Sequence, residues 1–177
     1  MAAAAIAVPS MVGDDNKPTA HKAKEISSKS TVVGVTRTYR SQKGLLLTAG
    51  GVGPSGRGKV FAQLPGVNDL QQSWNLLRDK IITRGGSSSN QLRCLETNRE
   101  GNLFTASCVT GKASQEWAHK VVDIGDPGFP DTIIIQNFAT KKCVTAGAPT
   151  GRGTSATAAQ NCTGAANQKW TQGRFVR

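Results

Sequence analysis

Several residue types are scarce in this 177-residue chain, and each scarcity narrows the reading. Aromatics are few: three Trp, five Phe and one Tyr. A core with so few large rings must gather them or rest on aliphatic side chains. No apolar run approaches the ~18 residues a membrane-spanning helix needs. Acidic residues number 11 against 22 basic ones, which leaves a formal net charge of +11. That balance disfavours basic partners and favours nucleic acid, anionic glycans or anionic membranes. Histidine is limited to His21 and His119, and neither stands in a nucleophile–base pattern. Asp123, Asp126 and Asp131, in "DIGDPGFPD", read as turn formers. The expectation is a non-enzymatic protein with no cofactor and no metal.

Glycine, by contrast, is abundant, with 20 residues. Such a composition suits short strands and turns better than long helices. The N-terminal stretch "MAAAAIAVPSMVGDD" resembles the end of a signal peptide's apolar region but lacks the basic segment before it. Residues 13–31 are polar, charged and poor in apolar side chains. Residues 1–31 are therefore expected to be a disordered tail, either a signal remnant or a partner-binding arm. Residues 32–177 are expected to form one domain.

Two glycine-rich stretches are near copies: "TAGGVGPSGRGK" at 48–59 and "TAGAPTGRG" at 145–153. The first fits two phosphate-binding patterns. Gly51, Gly53 and Gly56 match G-x-G-x-x-G, and Gly53 to Lys59 match the opening of a P-loop. Both patterns require a helix to follow. Here Val60-Phe61-Ala62-Gln63-Leu64 continues as a strand, and Val60 stands where a P-loop has Ser or Thr. A nucleotide site is not expected.

The duplication has another cause. Gln72-Ser-Trp74, Gln115-Glu-Trp117 and Gln168-Lys-Trp170 share the pattern Q-x-W and contain every Trp in the chain. The likeness extends backwards from each. Leu46, Cys94 and Cys143 occupy one place, and Pro65, Cys108 and Cys162 another. Three copies of one unit follow. The copies pair the cysteines as Cys94–Cys108 and Cys143–Cys162, each pair bracketing the same loop. A zinc site needs converging ligands, usually as C-x-x-C, and this spacing is absent. Disulfides point to an oxidising compartment and hence to secretion.

Each unit reads as short strands rich in Val, Ile, Thr and Phe: 31–39, 44–49, 103–108, 132–138 and 141–146. About four strands per unit gives an all-β chain of about twelve, closed around a pseudo-threefold axis so that no sheet edge is exposed. With three Q-x-W motifs and co-placed cysteines, residues 32–177 resemble the ricin-B-type lectins, R-type β-trefoils with the signature C-[LV]-D … C … Q-x-W. The resemblance implies that Gln72, Gln115 and Gln168 tie loops and that Trp74, Trp117 and Trp170 pack the core.

It also implies where sugars bind. In such lectins an Asp after C-[LV] takes hydroxyls, and an aromatic two residues before the second Cys stacks on the ring. Here the Asp position holds Thr48, Glu96 and Thr145, and the aromatic position holds Gln63, Ala106 and Gln160. No copy keeps the pair, so binding of neutral galactose by that chemistry is not expected. Glu96, Asn98 and Asn102 offer a polar cluster in the second copy. Arg57 and Arg152, in matching glycine loops, offer guanidinium groups for a carboxylate or sulfate. Three functional readings follow: a lectin for cell-surface or anionic glycans, a non-catalytic subunit similar to those of cytolethal distending toxins whose tail contacts a catalytic chain, or a general polyanion binder; nucleic acid is not the expected partner.

Overall fold

The structure, a computed structural model, describes residues 36–66, 69–83, 85, 91–126 and 130–174. The expectations for residues 1–31, like the strand expected at 31–35, fall outside the described residues. Among the described residues twelve strands are present, in three groups of four. The first unit contains β1 (Thr36–Ser41), β2 (Leu46–Val52), β3 (Gly58–Gln63) and β4 (Trp74–Leu77). The second contains β5 (Lys80–Thr83), β6 (Arg93–Thr97), β7 (Leu103–Ser107) and β8 (Trp117–Asp123). The third contains β9 (Thr132–Asn137), β10 (Lys142–Ala146), β11 (Thr154–Asn161) and β12 (Trp170–Arg174).

Every fourth strand thus begins at a Q-x-W tryptophan. A single helical turn precedes each: Asp69–Gln72, Ala113–Gln115 and Ala166–Gln168. These turns were not expected from strand-rich composition. Each ends at the Q-x-W glutamine, so the motif marks a helical turn running into a strand.

The sheet closes on itself. Strand β1 pairs with β12 along Arg37 to Ser41, and with β4 at Thr36 and Arg37. First and last strands therefore protect each other's edges. Strand β9 pairs with both β8 and β12. The hairpins β2–β3, β6–β7 and β10–β11 meet one another over the closed sheet. On the edge away from β2, strand β3 pairs with β7 at Gly58 and Lys59 and with β11 at Phe61 to Gln63, and a bridge from Asn102 to Ala158 joins the remaining two.

The core draws on all three units. Trp74, Trp117 and Trp170 are buried there with Leu47, Leu95, Val144, Ile81, Ile133, Ile135 and Tyr39. Each indole Nε1 donates to a main-chain carbonyl one residue past the first cysteine place: Leu47, Leu95 and Val144, all at 2.9 Å. Each glutamine spans a loop. Nε2 donates to the carbonyls of Leu64, Ser107 and Asn161 at 2.7–2.9 Å. Oε1 accepts the N–H of Gly66, Val109 and Thr163 at 2.8–3.3 Å. A buried side-chain amide is here satisfied at both ends by main-chain groups.

The disulfides are Cys94–Cys108 and Cys143–Cys162. In the first unit the matching places hold Leu46, which is buried, and Pro65, which is exposed.

Candidate functional site

The hairpin turns show how local geometry sets the chemistry. In the first unit Gly53 N–H donates to Arg57 O at 2.9 Å and Gly56 N–H to Gly53 O at 3.0 Å. In the second, Asn98 N–H donates to Asn102 O and Gly101 N–H to Asn98 O. In the third, Thr150 N–H donates to Thr154 O and Gly153 N–H to Thr150 O. One four-residue turn is therefore built three times. Its fourth residue is always glycine because φ is +71°, +95° and +66° at Gly56, Gly101 and Gly153.

This register corrects one expectation. Arg57 and Arg152 share the string G-R-G but not a place in the fold. The turn pairs Gly56 with Gly153, which puts Arg57 opposite Thr154 and Asn102 in the repeat. Arg152 is a turn-tip residue matching Ser55 and Glu100. It is exposed, and it lines neither of the cavities described below.

The sugar-site positions implied by the resemblance are mostly spent inside the fold. Glu96 is 5% exposed and accepts from Gln115 Nε2 at 2.8 Å and Ser114 Oγ at 3.3 Å. It also pairs with Lys112 Nζ at 2.6 Å. Thr145 is 3% exposed, donates to Cys143 O at 3.0 Å and accepts from Gln168 Nε2 at 3.1 Å. Thr48, 1% exposed, donates to Leu46 O at 2.8 Å. Glu96 and Thr145 thus bind the Q-x-W glutamine of their own unit, while Thr48 is held by its own strand. Gln63 and Ala106 are half-buried, while Gln160 is exposed.

The expected cluster of Glu96, Asn98 and Asn102 does not assemble. Asn98 Oδ1 accepts the backbone N–H of Asn102 at 2.8 Å and closes the turn, whereas Glu96 faces Ser114 and Gln115. Among the described residues no hydrogen bond joins Glu96 to either asparagine.

Two cavities lie at unit boundaries. One, about 410 Å³, runs between the first and third units. Ser41, Gln42 and Lys43 of the β1–β2 turn form one wall, and Ala146 to Pro149 the other. Ala166 and Asn167 of the third helical turn complete it. One wall is thus polar and the other small and apolar, which suits a ligand with hydroxyls on an apolar frame. The second cavity, about 400 Å³, lies between the first and second hairpins, with Arg57, Lys59, Asn102 and Phe104 in its lining. Sequence reasoning missed Lys43, Asn167, Lys59 and Phe104. Only closure brings Lys43 near Asn167, or Lys59 near Phe104.

His119 lies away from both cavities, packed edge-on against Tyr39 with ring centroids 5.5 Å apart. The Tyr39 hydroxyl and His119 Nε2 are 3.3 Å apart. Burial, aided by the Arg37 guanidinium, pushes the His119 pKa down from 6.5 to about 4. Burial also raises Tyr39 well above the usual phenol range, although Arg37 and Gln172 oppose it. Both rings are neutral at pH 7. Asp131 accepts the Gly125 N–H at 3.4 Å, a turn-forming contact. His21 falls outside the described residues.

An acid sensitivity follows. Unfolded His119 takes a proton near pH 6.5, while folded His119 resists it until about 4. The folded state binds fewer protons in that window, so stability falls as pH drops from 6.5 towards 4. The ceiling is about 3 kcal/mol for a group this buried. Urea melts between pH 7.5 and 4 should show the loss for wild type and a flatter curve for His119→Gln. Equal slopes for the two would remove His119 as the cause.

No protein-family model matches the chain, and no curated protein sequence matches it. Solved structures do. A chain of the cytolethal distending toxin from Actinobacillus actinomycetemcomitans is 19% identical, with a TM-score of 0.64 over 80% of this chain and 92% of that one. The designed threefold-symmetric protein ThreeFoil is 18% identical, with a TM-score of 0.59 over 79% and 99%. SeviL, solved bound to the asialo-GM1 saccharide, is 11% identical, with a TM-score of 0.54 over 81% and 99%. At these identities the likeness is one of fold, and that fold is an all-β, closed twelve-stranded trefoil of three units.

Proposed function

We propose that this chain is a secreted, non-enzymatic carbohydrate-binding protein with a preference for acidic glycans. The carrying observation is the cleft of about 410 Å³ between the first and third units. Its lining pairs Ser41, Gln42 and Asn167 with Ala146, Ala148, Pro149 and Ala166, and Lys43 supplies a cation at its edge. A sugar presents the complementary surface, hydroxyls around an apolar ring face. A carboxylate or sulfate on that sugar would add a charge-assisted bond to Lys43. The fold shared with SeviL supports the class of ligand. The two disulfides support an oxidising destination.

A second reading has its own support. The fold is also that of a chain of a cytolethal distending toxin, matched over 92% of its length. A delivery subunit that contacts a catalytic chain through residues 1–31 accords with it.

The test is a glycan array carrying neutral, sialylated and sulfated glycans, run at low and physiological salt with wild type, Lys43→Ala and Asn167→Ala. Binding to acidic glycans that weakens with salt, and weakens about tenfold in either variant, is the expected result. Tight, salt-insensitive galactose binding in all three proteins would sink the proposal. Silence on the array, together with a copurifying catalytic chain that needs residues 1–31, would turn the assignment to the toxin-subunit reading.

A further inference from the structure

The cavity between the first and second hairpins carries a charge pattern that the cleft does not. Three cations surround it: Arg57 and Lys59 in its lining, and Arg93 behind the turn. Arg93 is 5% exposed, although its strand neighbours are Leu92 and Cys94. Its guanidinium donates to Thr105 Oγ1 at 3.3 Å and to Thr105 O at 2.9 Å, and also to Gly56 O. Those acceptors are neutral. Among the described residues the ion pairs are Lys80–Glu116 and Lys112–Glu96, so no carboxylate pairs with any of the three cations. A buried charge without a counter-charge is costly. Burial accordingly pushes the Arg93 pKa down.

The arrangement is held in place by close packing. Strand β3 pairs with β7 through Gly58 opposite Thr105 and Lys59 opposite Phe104. A Cβ at Gly58 would lie 2.3 Å from Thr105 Oγ1, so only glycine lets the two strands approach. Arg93 fastens the same turn from below through Gly56 O. Arg57 is thereby laid over the Phe104 ring, 4.3 Å from its centroid. Stacking fixes the guanidinium plane but leaves its N–H edges free. Among the described residues Arg57 has no hydrogen-bond acceptor, and the side chains of Lys59 and Asn102 make no hydrogen bonds. Oriented, unspent donors around an open, electropositive cavity are what an oxyanion requires.

We propose that this cavity is an oxyanion site that takes the sulfate group of a sulfated glycan. The Arg57 fork holds two oxygens, Lys59 supplies the second charge, and the Asn102 amide donates to a third oxygen. Arg93 acts as a positioning residue, holding the turn and adding field without touching the ligand. The source of the sulfate rests on the carbohydrate reading above. The site itself does not.

Two titrations followed by backbone amide NMR separate these claims, one with sodium sulfate and one with a sulfated disaccharide beside its desulfated counterpart. Saturable shifts confined to residues 53–59 and 102–104 are expected from sodium sulfate in wild type. Arg57→Ala should weaken them roughly tenfold, and Arg57→Lys, which keeps the charge but loses the fork, by less. The sulfated disaccharide should bind the same residues more tightly, and its desulfated form should not shift them. Arg152→Ala, at an exposed turn tip outside both cavities, should leave all of this unchanged. If sulfate moves these amides but the disaccharide is no better, the ligand is a free anion and the glycan assignment of this cavity falls. If neither moves them, the cavity is not an anion site, whatever the array shows for the cleft. Shifts equal in wild type and in Arg57→Ala/Lys59→Ala would also overturn the proposal, because they would place the anion elsewhere.

Discussion

Replacing Trp117 with alanine should leave the domain barely folded, at a cost of about 3–5 kcal/mol. The indole is 2% exposed at the centre of the core. Its removal opens a cavity in the cluster it shares with Leu95, Ile133 and Ile135, whose strands are held by pairing and unable to collapse far. A second cost comes from the hydrogen bond. Trp117 Nε1 is a partner of the Leu95 carbonyl, and a buried acceptor left unsatisfied costs about 1–3 kcal/mol. Domains of this size are stable by about 5–15 kcal/mol in total, so the variant should melt far earlier or not fold at all. Trp117→Phe keeps most of the ring but not the N–H donor, and should fall between. Arg152→Ala, at an exposed turn tip, should stay within about 0.5 kcal/mol of wild type. Urea melts of the three variants test the ranking. A Trp117→Ala loss no greater than that of Arg152→Ala would contradict the structural role of Q-x-W.

That role was readable in the sequence for a physical reason. A motif that makes the same hydrogen bonds in every unit must keep the same atoms at the same spacing. Gln72, Gln115 and Gln168 each reach a carbonyl and an N–H across one loop, and each Trp follows by two residues. The cysteine pairing followed from the same registration. What escaped depends on three-dimensional register. The strings around Arg57 and Arg152 share G-R-G, but the turn is defined by which N–H meets which C=O. Counting from Gly56 and Gly153 moves the two arginines two residues apart in the repeat. Glu96 looked like a free carboxylate because its consumer, the Gln115 amide, lies 19 residues on. The two cavities escaped for a broader reason. Each forms where different units meet, and closure around an axis leaves no local pattern in the chain.

Removing the disulfides should be the other large perturbation, and the two should not be equivalent. Loop-closure entropy assigns about 3 kcal/mol to each, slightly more to Cys143–Cys162 because it closes the longer loop, 19 residues against 14. Packing reverses that order. Cys94 and Cys108 are both buried and form a small apolar cluster with Ile82 and Leu92, apart from the main core. Truncating both to alanine therefore loses buried sulfur contacts as well as the bond. Cys143 is buried but Cys162 is exposed, so that pair loses less packing. Cys94→Ala/Cys108→Ala should then be the more destabilised double variant, despite its shorter loop. The first unit, which has Leu46 and Pro65 at these places, shows that the fold tolerates a unit without the bond, so both variants should still fold in the cold. Exposure governs kinetics in the opposite sense. A thiol reductant should open Cys143–Cys162 first, because attack requires access to a sulfur. Urea melts of the two double variants, with mass-mapped partial reduction of wild type, measure the two effects separately. Greater loss at Cys143–Cys162 in the melts would show that chain entropy outweighs packing here. First reduction at Cys94–Cys108 would show that the second unit opens more readily than its burial implies.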